Sequence, residues 1–155
     1  MSMAIQRLKS ERKQFRKDRP FGFSAAPQKN GNGEMNLLVW NCKIPGKKNT
    51  NWESGIYSVQ LIFPQSYPQI PPTARFTPPL FHVNIFADGR VCLSLLKESD
   101  WKPQISLKTI LLNLQDFLSN PNILDPANGE ASKLFKASKA KYEDRILRQS
   151  KQFAP

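Results

Sequence analysis

Cysteine and histidine are scarce in this chain of 155 residues, which holds two cysteines, Cys42 and Cys92, and one histidine, His82. Without repeated spacing they suggest neither a zinc site nor a disulfide framework, and they fit a reducing compartment. Long apolar runs are missing too. The start of the chain has no continuous apolar signal core, and no stretch approaches the ~18 apolar residues of a membrane span. A soluble, intracellular protein is expected. Acidic residues are outnumbered, with 12 Asp and Glu against 23 Lys and Arg, leaving a net charge of +11. That surplus asks for an anionic partner such as nucleic acid, a membrane surface or an acidic protein. Repeats and low-complexity tracts are absent.

What is present suits one sizeable core, since 39% of residues are hydrophobic and ten are phenylalanine. A single domain over residues 1–155 is the expectation. Residues 2–18 read as a helix capped by Ser2, with Ile5, Leu8 and Phe15 near one stripe and Asp18 and Pro20 stopping it. Its remaining surface is basic. Arg12, Arg16 and Arg19 recur at i, i+4 and i+7, and with Lys13 beside them they form one exposed face if the helix runs that far. This density exceeds what solubility requires and reads as a docking surface.

A strand-rich half follows. Gly31-Asn32-Gly33 reads as a hairpin turn leading into Leu37–Cys42, and Tyr57, Val59, Leu61 and Phe63 alternate with Ser58 and Gln60 at the period of a half-buried strand. Six prolines lie between Pro64 and Pro79, favouring edges and turns, with a short strand over Thr73–Thr77 among them. Beyond this the period becomes helical. Ser106 caps a helix carrying Ile110, Leu111, Leu114, Phe117 and Leu118, which ends at Asn120-Pro121. Ala131, Leu134 and Phe135 mark another helix, and Tyr142, Ile146 and Leu147 a last one. The order predicts an α+β fold, with a four-stranded antiparallel meander, an N-terminal helix and C-terminal helices.

The candidate chemistry centres on Cys92, in the run Asp88-Gly89-Arg90-Val91-Cys92-Leu93-Ser94, eight residues after Asn84. A thiol delivered by a glycine-turned loop near a carboxamide is what acyl transfer needs, because the thiolate attacks and the amide stabilises a developing oxyanion. A Cys–His pair with His82 is the competing arrangement. A lone histidine beside Leu80-Phe81 is more often a satisfied structural group, and Cys42, in an apolar strand, also reads as structural.

These segments together carry a resemblance that runs nearly end to end. They include Arg16-Lys17-Asp18, Pro20-Phe21-Gly22-Phe23, Ile44-Pro45-Gly46-Lys47-Lys48, Tyr67-Pro68, Pro79-Leu80-Phe81-His82, Val91-Cys92-Leu93-Ser94, Asp100-Trp101-Lys102-Pro103 and Asp125-Pro126-Ala127. The chain resembles the ubiquitin-conjugating enzyme family and, within it, the SUMO-conjugating branch. The long strand connection from Ile44 to Trp52 and the basic first helix distinguish that branch from its ubiquitin-specific counterparts. The resemblance implies that Cys92 receives the modifier from an activating enzyme as a thioester and passes it to a substrate lysine. It implies that Asn84 supports the oxyanion or its own loop, that Asp125 faces the incoming lysine, and that His82 shapes the loop. Phe86, Asp88, Arg90, Thr73, Pro126 and Ala127 fall in the region that recognises the acceptor lysine and its surrounding motif. Arg12, Lys13, Arg16 and Arg19 fall on a surface for a second, noncovalently bound SUMO and the activating enzyme. Neither cofactor nor metal is implied. SUMO ligases and substrate proteins are the further partners implied, with no membrane or specific nucleic acid, for a monomer in nucleus and cytoplasm.

Departures from the family pattern are specific. His-Pro-Asn is here His82-Val83-Asn84, which restores a backbone N–H beside the catalytic amide and leads to an expectation of looser placement for Asn84. Phe86 replaces a tyrosine, Asp88 and Arg90 replace small hydroxyl residues, Thr73 replaces a lysine, and Arg19 stands where histidine is usual. Arg90 could then read an acidic residue in the acceptor motif, with Asp88 opposing it. Rival readings are an idle adaptor of the same fold, a basic nucleic-acid-binding module, and an enzyme carrying ubiquitin in place of SUMO.

Overall fold

The computed structural model describes residues 2–155. Helix α1 (Met3–Lys17) leads into a sheet of four strands, β1 (Ser24–Lys29), β2 (Met35–Pro45), β3 (Ile56–Ile62) and β4 (Thr73–Phe76). These strands lie in sequence order and pair antiparallel throughout, so the expected meander is what forms. A single 3-10 turn at Ser94–Leu96 precedes α2 (Leu107–Ser119), α3 (Gly129–Ala137) and α4 (Lys139–Gln152).

Local chemistry places these boundaries. The Ser2 hydroxyl accepts the Ile5 N–H and the Ser106 hydroxyl accepts the Thr109 N–H, each satisfying a donor that an opening helix turn leaves free. At its other end α1 stops at Lys17, because Asp18 leaves helical geometry (φ −132°, ψ 57°) and Pro20 disfavours helical backbone at Arg19. Arg19 therefore lies beyond the helix, and the face expected to run from Arg12 to Arg19 ends at Arg16. Ala4, Leu8 and Phe15 are the residues α1 buries, and Ile5 is only half-buried.

Burial along β3 alternates, with Tyr57, Val59 and Leu61 buried and Ser58 and Gln60 half-buried. Strand β1 forms one edge and carries Pro27 at a bulge, where a missing N–H costs no ladder bond on the open side. Helix α2 is the main support of the core, burying Leu107, Ile110, Leu111, Leu114, Phe117 and Leu118. At about 1.5–3 kcal/mol per buried side chain, this stripe is worth far more than the helix's own propensity.

Two tethers shape the ends of the site region. The β2–β3 loop folds back so closely that a Cβ on Gly46 would collide with the Trp52 carbonyl, and Lys47 donates to Asp116 of α2 at 2.8 Å. Helix α4 is bound to the segment before the site through Gln149, which accepts the Phe81 N–H (2.7 Å) and donates to the Phe81 carbonyl (3.2 Å).

Leu8 reaches the core from α1 at 1% exposure. Leu8→Ala is expected to lower the unfolding free energy by about 2–5 kcal/mol in a urea titration. A loss well under 1 kcal/mol would contradict the packing of α1 against the core.

Candidate active site

The segment carrying Cys92 is held against the free edge of β4. Arg75 bridges Arg90 and Ile85 bridges Val91, while the Phe76 N–H donates to Gly89 and the Val91 N–H to Ala74. Sheet pairing thus continues past β4 into the site and covers an edge that would otherwise be open. A turn at Phe86–Arg90 closes this segment. Gly89 sits there at φ +92°, where a Cβ would also collide with the Phe76 carbonyl, so both conformation and space select glycine. From this turn the chain returns to Cys92, whose N–H donates to the Asn84 carbonyl at 2.9 Å.

Asn84 is buried, and every polar group of its side chain is used. Nδ2 donates to the carbonyls of Asn122 and Asp125, both at 2.8 Å, and Oδ1 accepts the Asn122 N–H at 2.7 Å. Of the two roles implied for this amide, the geometry supports the loop: both its hydrogens bind backbone carbonyls, leaving none directed at an oxyanion. The Asn84 N–H donates to His82 Nδ1 at 2.9 Å. Since a backbone N–H can only donate, Nδ1 carries the lone pair and the His82 proton sits on Nε2, shared between the carbonyls of Phe117 (3.2 Å) and Leu118 (3.1 Å). His82 is fully buried and stacked on Phe117 at 4.5 Å. Burial holds its pKa down at about 4. Both nitrogens are committed, and a Cys–His pair with Cys92 does not form.

Val83, standing where the family pattern has proline, is fully buried beside Asn84. Its restored N–H donates to the Tyr142 hydroxyl at 3.4 Å, and its carbonyl accepts from Ala127 (2.8 Å) and Asn128 (3.1 Å). The turn leading into α3, with Asn128 as its cap, and helix α4 thereby help to hold the strip that precedes Asn84. Ala127 enters the site through that backbone bond, and Pro126 is exposed.

The thiol of half-buried Cys92 donates to Asp125 Oδ2 at 3.2 Å, and Lys97 Nζ donates to the same oxygen at 2.6 Å. Burial, then the bond to Asp125, raises the Cys92 pKa, while Lys97 opposes the rise. Lys97, followed by Cys92, holds the Asp125 carboxyl below the usual carboxylate range. Once the sulfur is acylated it has no proton to donate. Oδ2 then faces the reacting bond with Lys97 still bonded to it.

A hollow with largely apolar walls opens beside Cys92, lined by Pro72, Thr73, Phe86, Arg90 and Leu96. Thr73, Phe86 and Arg90 are thus brought together as anticipated. Asp88 is not an isolated opponent of Arg90: its Oδ2 accepts from Arg90 Nε at 2.8 Å and lies 3.6 Å from Arg75. Two guanidinium groups around one carboxylate leave the cluster with a net positive charge. Arg90 also lies 4.9 Å from the centre of the Phe86 ring, a cation–π distance.

Lys9, Arg12, Lys13, Arg16 and Lys17 form a basic groove with Met35 and Leu37 of β2. Arg19 is exposed but does not line it. Cys42 is buried in β2, where desolvation pushes its pKa up to about 12 and leaves the thiol inert.

Sequence reasoning missed Lys97, Asn122 and Tyr142. A lysine five residues after the cysteine was a visible signal for Lys97. Asn122 and Tyr142 act through bonds to residues 38 and 59 positions away, which no local pattern announces.

The ubiquitin-conjugating enzyme family matches residues 7–150. The chain is similar to the SUMO-conjugating enzyme UBC9 of Caenorhabditis elegans, at 48% identity over 153 residues covering 98% of this chain and 92% of that protein. It is also similar to the SUMO-conjugating enzyme ubc9 of Dictyostelium discoideum, at 47% identity over 150 residues, 96% and 94% of the two chains.

Because the folded pKa of His82 lies below its ordinary 6.5, the unfolded chain binds the proton first as pH falls. Its contribution to stability is complete above pH 6.5 and is lost on approach to pH 4, by about 3 kcal/mol. The single imidazole should remain neutral in a proton NMR titration down to about pH 4. A midpoint near 6.5 in the folded protein would refute this.

Proposed function

The chain belongs to the ubiquitin-conjugating enzyme family, and from that premise we propose that it is the SUMO-conjugating enzyme of its pathway. It takes SUMO from the activating enzyme as a thioester on Cys92 and transfers it to substrate lysines. The observation that carries the mechanism is the 3.2 Å contact between the Cys92 thiol and Asp125, on a loop fixed by Asn84. The choice of modifier is supported by the names and near full-length match of the two relatives.

In charging, Cys92 loses its proton and its sulfur attacks the thioester carbonyl on the activating enzyme; that enzyme's thiolate leaves. In discharge, the lysine amine attacks the carbonyl on Cys92, the amine proton passes to Asp125 directly or through water, and the carbon–sulfur bond breaks. The products are an isopeptide bond and the free Cys92 thiol. The thioester supplies the driving force, so positioning, desolvation and proton removal are what this chain contributes.

The acceptor side chain enters beside Phe86 and Thr73, while Arg90 pairs with an acidic residue of the acceptor motif. The net positive Arg75–Asp88–Arg90 cluster supports this reading. In this reading Pro126 and Ala127, which follow Asp125 in the chain, contact the acceptor motif. The basic groove of Arg12, Lys13 and Arg16, flanked by Arg19, takes acidic surfaces of the activating enzyme and of a second SUMO, an association weakened by salt. The protein acts as a monomer, alone or with a ligase.

Incubated with SUMO, its activating enzyme and ATP, the protein should form a thiol-sensitive adduct on a non-reducing gel. Cys92→Ser should convert that adduct to a stable ester or lose it. An adduct with ubiquitin instead would change the modifier, and none with either would favour the adaptor. Arg90→Ala is expected to weaken the preference for acceptor peptides with an acidic residue by about five- to ten-fold, as for a lost charged hydrogen bond. Unchanged selectivity in a peptide competition would remove Arg90 from recognition.

A further inference from the structure

We infer that Lys97 occupies the place of the incoming acceptor amine on Asp125, as a resident competitor that every substrate lysine must displace before transfer. The inference rests on Asp125 being the carboxylate that faces the acceptor.

One carboxylate oxygen bonds both the Cys92 sulfur and the Lys97 ammonium. A lysine of the chain itself therefore stands where the mechanism requires a lysine of the substrate, with the same head group on the same four-carbon stem. The backbone delivers it there from both sides. Before it, the 3-10 turn is closed by the Lys97 N–H donating to Ser94 at 3.0 Å. After it, the Lys97 carbonyl accepts from Asp100 (3.0 Å) and Trp101 (2.9 Å), and Trp101 is anchored through its indole N–H to the Pro68 carbonyl at 2.7 Å.

Lys97, with Cys92 and Leu93, lines both of the hollows that adjoin the thiol. One is the largely apolar hollow with Phe86 and Arg90; the other is polar and includes Asn120, Asn122 and Asp125.

Asp125 raises the Lys97 pKa, which favours the resident amine as an ammonium over the lone-pair form that attacks a thioester; a substrate lysine on the same carboxylate must lose its proton in the same way. The side chains of both partners are 48% exposed, so solvent and salt weaken their pair. An exposed pair of this kind corresponds to an equilibrium factor of about two to five, a threshold that a well-held substrate lysine overcomes and a poorly held one does not.

The test compares the wild type with Lys97→Met and Lys97→Arg. Each is charged with SUMO, purified from the activating enzyme and chased with a lysine-containing acceptor peptide over a range of concentrations. Matching urea unfolding curves for the three report on intact folding, since Lys97 acts on the Cys92 thiol and charging itself can differ. Lys97→Met is expected to lower the half-saturating peptide concentration about two- to five-fold without lowering the maximal discharge rate. Lys97→Arg should behave as wild type, and the advantage of the Met variant should shrink as salt is raised. An unchanged half-saturation, or a reduced maximal rate in Lys97→Met, would overturn the inference. So would a thiol-resistant self-conjugate in the wild type that both variants lack, since Lys97 would then be an acceptor. Asp125→Asn separates the two levels: it should slow discharge at least about ten-fold and abolish the effect of Lys97→Met. If Asp125→Asn discharges at the wild-type rate, the reading of Asp125 fails. If it is slow while Lys97→Met equals wild type, only the competitor role fails.

Discussion

The buried carboxamide of Asn84 is the constraint on which the site depends. Its amide hydrogens and oxygen bind the backbone of Asn122 and Asp125, drawing the loop after α2 onto the segment that carries Cys92. A buried amide without partners would cost about 1–3 kcal/mol per unsatisfied group, so this geometry is the one in which the side chain can be buried at all. His82 extends the same logic inward. Its neutral imidazole accepts from the Asn84 backbone and donates to the end of α2, so the core and the site share one hydrogen-bonded chain.

Electrostatics then divides the surface into regions with different tasks. Around Cys92 a single carboxylate balances a thiol and an ammonium, which keeps charged groups close to the sulfur without a large net field. Around Phe86 two arginines exceed one aspartate, and along α1 five basic side chains line one groove. The overall charge of +11 is therefore not spread evenly, and long-range attraction of acidic partners is strongest away from the reacting atoms.

Much of the fold was legible from short-range chemistry. Ser2 and Ser106 cap helices because their hydroxyls reach donors three residues on, and β3 alternates because successive side chains in a strand point to opposite faces. Arg19 would join the face of Arg12 and Arg16 only on a longer helix, and the helix ends before it because Asp18 leaves helical geometry and Pro20 follows. The surroundings of Val83 were illegible for a different reason. Losing the proline ring there is a local change, but the N–H it restores is taken up by Tyr142, far along the chain.

Residue identity by itself determined the chemistry available here: one thiol on a glycine turn, an amide eight residues before it, one acidic residue before a proline, and a cationic first helix. Only the tertiary structure decided how those groups meet. It spent the Asn84 amide on a loop, made His82 a neutral structural base, tied Asp88 between two arginines, and brought Lys97 onto the oxygen that also holds Cys92. The physical reason is that hydrogen bonds and ion pairs act over a few ångströms, and which groups come within that range is set by packing across the whole chain.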